Sequence, residues 1–209
     1  MKNYLVAVSK AFKLVYPELI WEQQRENSKT IYLTFDDGPT PEVTDWVLDL
    51  LAKYEIQASF FCIGKNIENH PAIFNRILEA GHRIGNHTQN HLNGWDTKTE
   101  KYLKNIEETA QLIPKEQGLL FRPPYGRIRK KQIRALKNQA YKIIMWTALS
   151  ADWDVKNSPQ VCVDNCLKNA KDGSILVFHD SVKAQKNLYG SLETVIMELK
   201  NRGFEFKTL

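Results

Sequence analysis

Two adjacent carboxylates, Asp36 and Asp37, are the first residues of this sequence with a clear capacity for chemistry, because they follow an apolar run and precede Gly38-Pro39. Neighbouring side chains of a strand point to opposite sides, and adjacent carboxylates repel unless a cation or hydrogen bonds offset their charge. The Gly-Pro bend could let both border one cavity, with one binding a metal ion and the other facing a water molecule. A helix-capping aspartate is the ordinary alternative, but it explains only one of the two.

His87 and His91 are a second candidate pair, spaced four residues apart. In an extended strand they would lie about 13 Å apart, whereas two ligands of one zinc ion must approach within bonds of about 2.0–2.1 Å each. A shared metal ion therefore requires the chain to turn after Gly85-Asn86. The glutamate of a His-Glu-x-x-His motif is missing, which argues against a metalloprotease. On the spacing alone, two unrelated histidines are an equally good interpretation.

Arg122 and His179 could orient a carboxylate and donate a proton. Arg122 begins a loop that Pro123 and Pro124 stiffen, and its planar guanidinium can clamp a carboxylate. His179 ends an apolar run and is a candidate general acid. A surface arginine in a plain turn and a hydrogen-bonded core histidine are the structural alternatives.

These residues, together with Asp152 and Trp153, follow predicted strands, and the carboxyl ends of strands are where α/β folds assemble active sites. The predicted strands cover Ile31–Asp37, Ala58–Gly64, His82–His87, Leu119–Pro123, Tyr141–Leu149, Ser174–His179 and Phe204–Lys207. The predicted helices cover Pro41–Tyr54, Pro71–Ala80, Thr97–Leu112, Lys130–Asn138, Pro159–Ala170 and Leu188–Asn201. This alternation predicts a parallel sheet of about seven strands, and periodicity does not distinguish an open sheet from a barrel.

The N-terminal residues 1–29 form a predicted helical extension to a single domain at 30–209. An apolar stripe at helical spacing comprises Leu5, Val8, Phe12, Val15 and Leu19. We interpret it as a helix packed on the domain, with an interfacial membrane anchor as the alternative. No export signal and no run of about 20 apolar residues is evident, so the default expectation is a cytoplasmic protein.

The net charge of +5 is spread along the chain, and the odd count of three cysteines argues against a disulfide framework. One short basic run contains Arg127, Arg129, Lys130 and Lys131. We interpret this run as the solvated start of a helix, with phosphate binding as the alternative. The sequence has no basic stripe interleaved with aromatic residues, so we expect no nucleic-acid partner.

From about Ile31 to its C-terminus the sequence resembles the polysaccharide deacetylases that share the NodB homology domain, carbohydrate esterase family 4. Five motifs in the family's order carry the resemblance: Thr34-Phe35-Asp36-Asp37-Gly38-Pro39, His87-Thr88-Gln89-Asn90-His91, Arg122-Pro123-Pro124-Tyr125-Gly126, Asp152-Trp153 and Val177-Phe178-His179. The resemblance implies a distorted (β/α) barrel, often with seven strands, as the catalytic domain.

The resemblance also implies a role for each matching residue. Asp37, His87 and His91 would bind the metal ion, and Asp36 would be the general base, oriented by Arg122. Asp152 would tune His179 as the general acid. Pro124, Tyr125, Trp153 and Val177 would contact substrate, with the Tyr125 backbone N–H holding the oxyanion and Trp153 and Val177 shaping the acetyl pocket. The sequence has Leu149 where the family usually has aspartate, and Val177 where it usually has leucine.

The implied activity is metal-dependent removal of the N-acetyl group from an N-acetylglucosamine-containing glycan, releasing acetate and an amine. Peptidoglycan, a chitin-like oligomer and an exopolysaccharide all fit, and such substrates imply association with the cell envelope. Two histidines and a carboxylate favour Zn²⁺, with Co²⁺, Ni²⁺ or Fe²⁺ as alternatives. The rival functions are a related amidohydrolase acting on a cyclic amide or a lipid-linked formyl sugar, and a carbohydrate-binding barrel without catalysis.

Overall fold

A computed structural model of the chain describes residues 6–7, 14–23 and 29–209. Of the predicted N-terminal stripe, Leu5, Val8 and Phe12 lie outside the described residues. Val15 is exposed and Leu19 is buried.

The domain is built on a parallel sheet, as the alternation of elements predicted. Seven strands follow one another in the order β5-β4-β3-β2-β1-β7-β6, and β8 pairs with β1 off this path. The strands are β1 (Thr30–Asp36), β2 (Ser59–Cys62), β3 (Arg83–Asn86), β4 (Leu120–Phe121), β5 (Lys142–Ile143), β6 (Ala148–Leu149), β7 (Ser174–His179) and β8 (Glu205–Phe206). Every pairing between these strands is parallel.

The prediction of one strand at Tyr141–Leu149 is wrong, because this segment forms β5 and β6 at opposite ends of the sheet order. Backbone amides within this segment donate to different strands. Ile144 donates to Phe121 in β4, and Thr147 donates to Ile175 in β7. A continuous β-prone run does not reveal such a crossing. Because it joins the two end strands within a few residues, the sheet must curl, which confirms the distorted barrel.

An N-terminal segment, residues 19–23, lies in the gap between the two ends of the curled sheet. The Ile20 amide donates to Ile143 at 2.9 Å, the Met145 amide donates to Ile20 at 2.7 Å, and the Gln23 amide donates to Gly173 at 2.9 Å. The barrel is therefore completed by a segment that precedes β1.

Helices cover the outside of the barrel at the positions where the sequence predicted them, with one short helix in addition. They are α1 (Val43–Lys53), α2 (Gly64–Asn69), α3 (Pro71–Glu79), α4 (Thr99–Ala110), α5 (Lys130–Asn138), α6 (Pro159–Leu167) and α7 (Gln185–Asn201). Cys62, Cys162 and Cys166 are buried and form no disulfide bond, in agreement with the expectation that the chain has no disulfide framework. Among the described residues, none of the helices combines the length and apolarity needed to cross a membrane.

Alternation along β1 and β7 decides which side chains enter the barrel. Ile31, Leu33 and Phe35 belong to the cluster that packs under the helices, whereas Tyr32 belongs to a separate interior cluster. Because side chains alternate along a strand, Asp36 lies on the same face as Tyr32. Val177 and His179 share the interior face in β7 by the same argument, since Leu176 and Phe178 pack outward.

Candidate active site

The chain brings the predicted site residues together at the carboxyl ends of the strands. Asp36 and His179 end β1 and β7 and pair directly in register. His87 and Arg122 follow β3 and β4 immediately, and Asp152 follows β6 after two residues. Strands that are neighbours in the sheet thus deliver five polar side chains to one end of the barrel.

Asp37, His87 and His91 form a group able to hold a metal ion, with one potential ligand atom from each lying within 4.8 Å of the others. Asp37 Oδ1 is 3.2 Å from His91 Nε2 and 3.7 Å from His87 Nε2. This oxygen is buried and has no hydrogen-bond partner among the described residues. A buried carboxylate oxygen without a donor is costly, and a cation bound by all three groups would remove that cost.

The opposite nitrogen of each histidine is held by a neighbouring loop. His87 Nδ1 lies 2.7 Å from the Arg122 carbonyl oxygen, and His91 Nδ1 lies 3.0 Å from the Tyr125 hydroxyl. Because a carbonyl group only accepts, His87 must carry its proton on Nδ1, which leaves the Nε2 lone pair facing Asp37. Such outer hydrogen bonds orient the ring and fix the tautomer in metal sites.

The electrostatics of the group also suit metal binding. Burial lowers the pKa of His87 to about 4, so the ring is neutral near pH 7 and able to act as a ligand. Burial alone would raise the pKa of Asp37. A hydrogen bond to His91 and the charges of His179, His87 and His91 have a larger, opposite effect, so the pKa lies below its ordinary range.

The turn predicted between the two histidines is confirmed. Thr88 and His91 have φ of 65° and 53°, which is left-handed backbone. Asn86 stabilises the turn by accepting from the Thr88 amide at 2.8 Å and donating to the Ile106 carbonyl of α4 at 2.8 Å. The two imidazole rings lie 5.1 Å apart between centroids as a result.

Arg122 contacts Asp36 inside the barrel, as the resemblance implied. Its Nη1 donates to Asp36 Oδ1 at 2.6 Å and to Thr34 Oγ1 at 2.8 Å, and its Nη2 donates to the Met145 carbonyl at 3.0 Å. The guanidinium also lies over the Phe61 ring, 4.1 Å from its centroid. The other contacts hold the guanidinium in place, so its hydrogen bond to Asp36 fixes the orientation of that carboxylate.

Asp152 and His179 form a second charged pair. Asp152 Oδ1 lies 2.8 Å from His179 Nδ1, and Oδ2 accepts from the His179 backbone amide at 2.8 Å. Burial lowers the pKa of His179, but the charge and hydrogen bond of Asp152, with smaller effects of Asp37 and Asp36, raise it to about 9. His179 is therefore protonated near pH 7, with Nε2 as its remaining donor.

The four residues expected to contact substrate lie within three positions along the chain of Arg122, Asp152 or His179. Trp153 contacts the His179 ring edge-on at 4.6 Å between centroids. Val177 and Pro124 are buried, and Tyr125 is exposed with φ of 60°. The sequence predicted a role only for the backbone of Tyr125. The contact between its hydroxyl and His91 was not predicted, since it depends on two loops meeting.

Asp180 is a structural residue of the site to which sequence reasoning gave no role. Its carboxylate accepts from the Gly38 amide at 3.0 Å and from the Thr44 hydroxyl at 2.6 Å. Asp180 thereby fixes the loop that presents Asp37. The sequence signal was its place beside His179 at a strand end, but its partners are 142 and 136 residues away in the chain.

A family model described as polysaccharide deacetylase matches residues 23–144. The peptidoglycan-N-acetylglucosamine deacetylase of Bacillus cereus is 36% identical over 192 residues, which cover 90% of this chain and 90% of that protein. The peptidoglycan-N-acetylmuramic acid deacetylase PdaA of Bacillus subtilis is 30% identical, with 87% of this chain and 70% of that protein covered.

Solved structures show the same similarity. The crystal structure of a peptidoglycan N-acetylglucosamine deacetylase superposes with a TM-score of 0.86 at 31% identity, covering 95% of this chain and 94% of the other. The structure of Bacillus subtilis PdaA, a family 4 carbohydrate esterase, gives a TM-score of 0.80 at 26% identity and covers 96% of this chain and 87% of the other.

Proposed function

This chain belongs to the polysaccharide deacetylase family, and from that premise we propose that it hydrolyses the N-acetyl group of N-acetylglucosamine residues in peptidoglycan. The observation that carries the proposal is the convergence of Asp37, His87 and His91 beside the pair formed by Asp36 and Arg122. The most similar relatives reported above are named for peptidoglycan, and the one named for N-acetylglucosamine is the more identical.

We propose Zn²⁺ as the metal ion, held by Asp37, His87 and His91. Two imidazoles and one carboxylate suit zinc, and Co²⁺, Ni²⁺ and Fe²⁺ accept the same types of ligand. Three protein ligands leave a coordination position open, which is typical of catalytic sites. When bound, the ion would polarise the acetyl carbonyl and increase the acidity of the reacting water.

Asp36 is positioned to act as the general base. One carboxylate oxygen is bound by Arg122 at 2.6 Å, so the other is free to take a proton from the attacking water. The backbone N–H of Tyr125 would donate to the oxyanion of the tetrahedral intermediate.

His179 is positioned to act as the general acid. Its ring is protonated near pH 7 because Asp152 raises its pKa to about 9. The proton would pass to the sugar nitrogen as the carbon–nitrogen bond breaks, so that one water and one acetamide give acetate and a free amine. The apolar walls expected for the acetyl methyl group are Trp153 and Val177.

The proposed substrate places the site of action at the cell envelope, in contrast to the default expectation of a cytoplasmic protein. The alternative of membrane-surface association through the N-terminal stripe stays a prediction, as does the division of the chain at residues 29 and 30.

Acetate release from N-acetylglucosamine oligomers, measured with added Zn²⁺ or Co²⁺, tests the proposal. We expect release that a chelator abolishes and that either metal restores. Asp36→Asn should lose activity while still binding one metal ion per chain, and His87→Ala should lose both.

Two results would contradict the proposal at different points. A metal-loaded chain that releases no acetate from peptidoglycan or from the oligomers would redirect the search to cyclic amides and formylated lipid-linked sugars. A chain that binds no divalent metal ion would remove the basis for hydrolysis altogether.

A further inference from the structure

Several exposed apolar side chains lie in the loops around the candidate active site. Six large hydrophobic residues among those described are more than half exposed; Leu14 and Val15 lie near the N-terminus, and Trp95, Tyr125, Val155 and Val182 lie in loops after β3, β4, β6 and β7. Clustered exposed apolar residues beside a site mark binding surfaces more often than isolated ones do. Trp95 is the largest of the four and has no role in the chemistry described above.

Trp95 is held in place by the loop that follows β4. Its indole nitrogen donates to the Ile128 carbonyl at 3.2 Å, and its own carbonyl accepts from the Arg129 guanidinium. Gln132 at the start of α5 donates to the Gly94 carbonyl at 2.9 Å. The ring is therefore fixed through its edge while 55% of the residue stays exposed.

The loop that carries Trp95 is continuous with the metal site. The same two loops meet first at His91 and Tyr125, whose rings are 4.6 Å apart, and then at Trp95 and Arg127. His91 and Trp95 are four residues apart, so their Cα atoms are separated by at most about 14 Å. A glycan of a few sugar rings is therefore long enough to reach from the metal ligands to Trp95.

Arg127 adds a positive charge to this surface. Its guanidinium lies 5.2 Å from the centroid of the Trp95 ring. No described carboxylate lies within ion-pair distance of Arg127. A guanidinium that is stacked on an aromatic ring and lacks an acidic partner is suited to bind a ligand carboxylate.

We propose that Trp95 and Arg127 form a distal subsite, which binds a pyranose ring carrying a carboxylate on the same glycan strand whose acetamide is hydrolysed. The apolar face of the ring packs on the exposed indole, and the carboxylate pairs with Arg127. This inference rests on the proposed function for the identity of the strand. It gives a role to Arg127, the first residue of the basic run that we interpreted from the sequence as the solvated start of a helix.

The stacking component is tested by calorimetry of the full chain carrying Asp36→Asn, which prevents turnover. The probes are the dimer and the tetramer of N-acetylglucosamine. We expect the tetramer to bind more tightly than the dimer, and Trp95→Ala to lower the tetramer-to-dimer affinity ratio at least fivefold. Leu119→Ala removes an exposed apolar side chain at the opposite end of the barrel and should leave the ratio unchanged. An unchanged ratio in Trp95→Ala, or no tetramer binding, overturns the subsite.

The charge component is tested with a tetramer in which alternate rings carry a carboxylate. We expect it to bind more tightly than the neutral tetramer, and Arg127→Gln to remove that preference. A preference that survives Arg127→Gln, or none in the starting protein, overturns the carboxylate assignment.

Acetate release by the chain without Asp36→Asn is measured separately. Its failure beside intact tetramer binding would count against the proposed hydrolysis and not against the subsite.

Discussion

Arg122 is the largest fully buried side chain among the described residues. Burial lowers its pKa, and Asp36 opposes that effect. Desolvating a guanidinium is costly unless its donors are satisfied, and here a carboxylate, a hydroxyl and backbone carbonyls accept from it. One side chain thus holds both the candidate base and the segment that crosses between the sheet ends.

Arg122→Lys is expected to separate these contacts while keeping the charge. A lysine reaches fewer of the acceptors, so at least one buried oxygen loses its donor, and the free energy of unfolding should fall by about 1–3 kcal/mol. Displacement of Asp36 should lower kcat by about 100-fold. Denaturant unfolding and steady-state kinetics measure the two effects. Arg134→Lys, at an exposed position, is the control, and a folded Arg122→Lys variant with full kcat would contradict the positioning role.

Asp152→Asn is expected to move the alkaline limb of the pH profile. The pKa of His179 is raised to about 9, so the acid is present below that pH and is lost as pH rises through it. Removing the charge of Asp152 lowers this pKa, so the fall in kcat/KM should begin at lower pH. A limb that stays near pH 9 in the variant would mean that another group is the acid.

The residue types at the site were predictable because each follows an apolar strand and matches a motif. Asp36 and His179 were predicted as site residues on this basis, and the structure places them side by side at the ends of β1 and β7. The anchoring role of Asp180 and the contact between Tyr125 and His91 were not predictable. Both depend on side chains from distant segments approaching within hydrogen-bond distance, which spacing along the chain does not reveal.

At the scale of elements, the site is built from short strands and strained loops. Eight described residues other than glycine have positive φ, and five of them lie in loops at the site: Asp37, Thr88, His91, Tyr125 and Ala151. Such conformations cost free energy and persist only where surrounding contacts enforce them. Gly64 at the start of α2 is one such contact, since its amide donates to the Thr88 carbonyl at 3.0 Å.

Gly64→Ala is expected to weaken metal binding. A Cβ atom there would lie 1.9 Å from Gln89 Oε1 and 2.4 Å from Thr109 Oγ1, so the buried side chain of Gln89, a residue of the turn between the two histidines, must shift. We expect roughly tenfold weaker affinity for Zn²⁺, within the usual effect of changes around metal ligands, measured by competition with a chelator. Gly203→Ala is the control, because a Cβ atom at Gly203 would have no atom within 4 Å, although the residue has a φ of 79°. It should cost about 1 kcal/mol of stability with unchanged metal affinity. Equal metal affinity in both variants would contradict the expectation that Gly64 supports the turn carrying His87 and His91.

The helices were more predictable than the short strands. Lys130–Asn138 was predicted with the bounds that α5 has, because amphipathic spacing is a local signal. The division of Tyr141–Leu149 was not predictable. Most of its residues have strand propensity. Only the pairing partners, which lie in β4, β7 and residues 19–23, distinguish two strands from one.

At the scale of the whole molecule, the barrel depends on a junction between the N-terminal segment and the two ends of the sheet. Thr147 is central to it, because its hydroxyl donates to the Trp21 carbonyl at 2.9 Å and accepts from the Ile175 amide at 3.1 Å. The interior apolar cluster, which includes Tyr32, Phe61 and Ile144, fills the barrel below the active site.

Thr147→Val is expected to destabilise this junction without changing its shape. The buried Ile175 amide would lose its acceptor and the Trp21 carbonyl would lose its donor, which should lower the free energy of unfolding by about 1–3 kcal/mol. Thermal unfolding with and without Zn²⁺ measures the effect. Thr208→Val, at a position with no hydroxyl hydrogen bond among the described residues, should leave the transition unchanged. Identical transitions in the two variants would argue against a contribution of the junction to stability.

The pairing of β1 with β7 also bears on how the protein is made. β1 is a buried strand, yet the hydrogen bond from Thr34 to Leu176 in β7 joins residues 142 positions apart. At a synthesis rate of about 5–20 residues per second, roughly 7–28 s pass between the synthesis of β1 and that of β7. Until then, the edge of β1 that pairs with β7 has no partner strand. During this interval it offers an apolar, unpaired edge to other nascent chains. β7 pairs along this edge and also delivers His179, so a chain cannot complete its catalytic group before the exposed edge of β1 is paired.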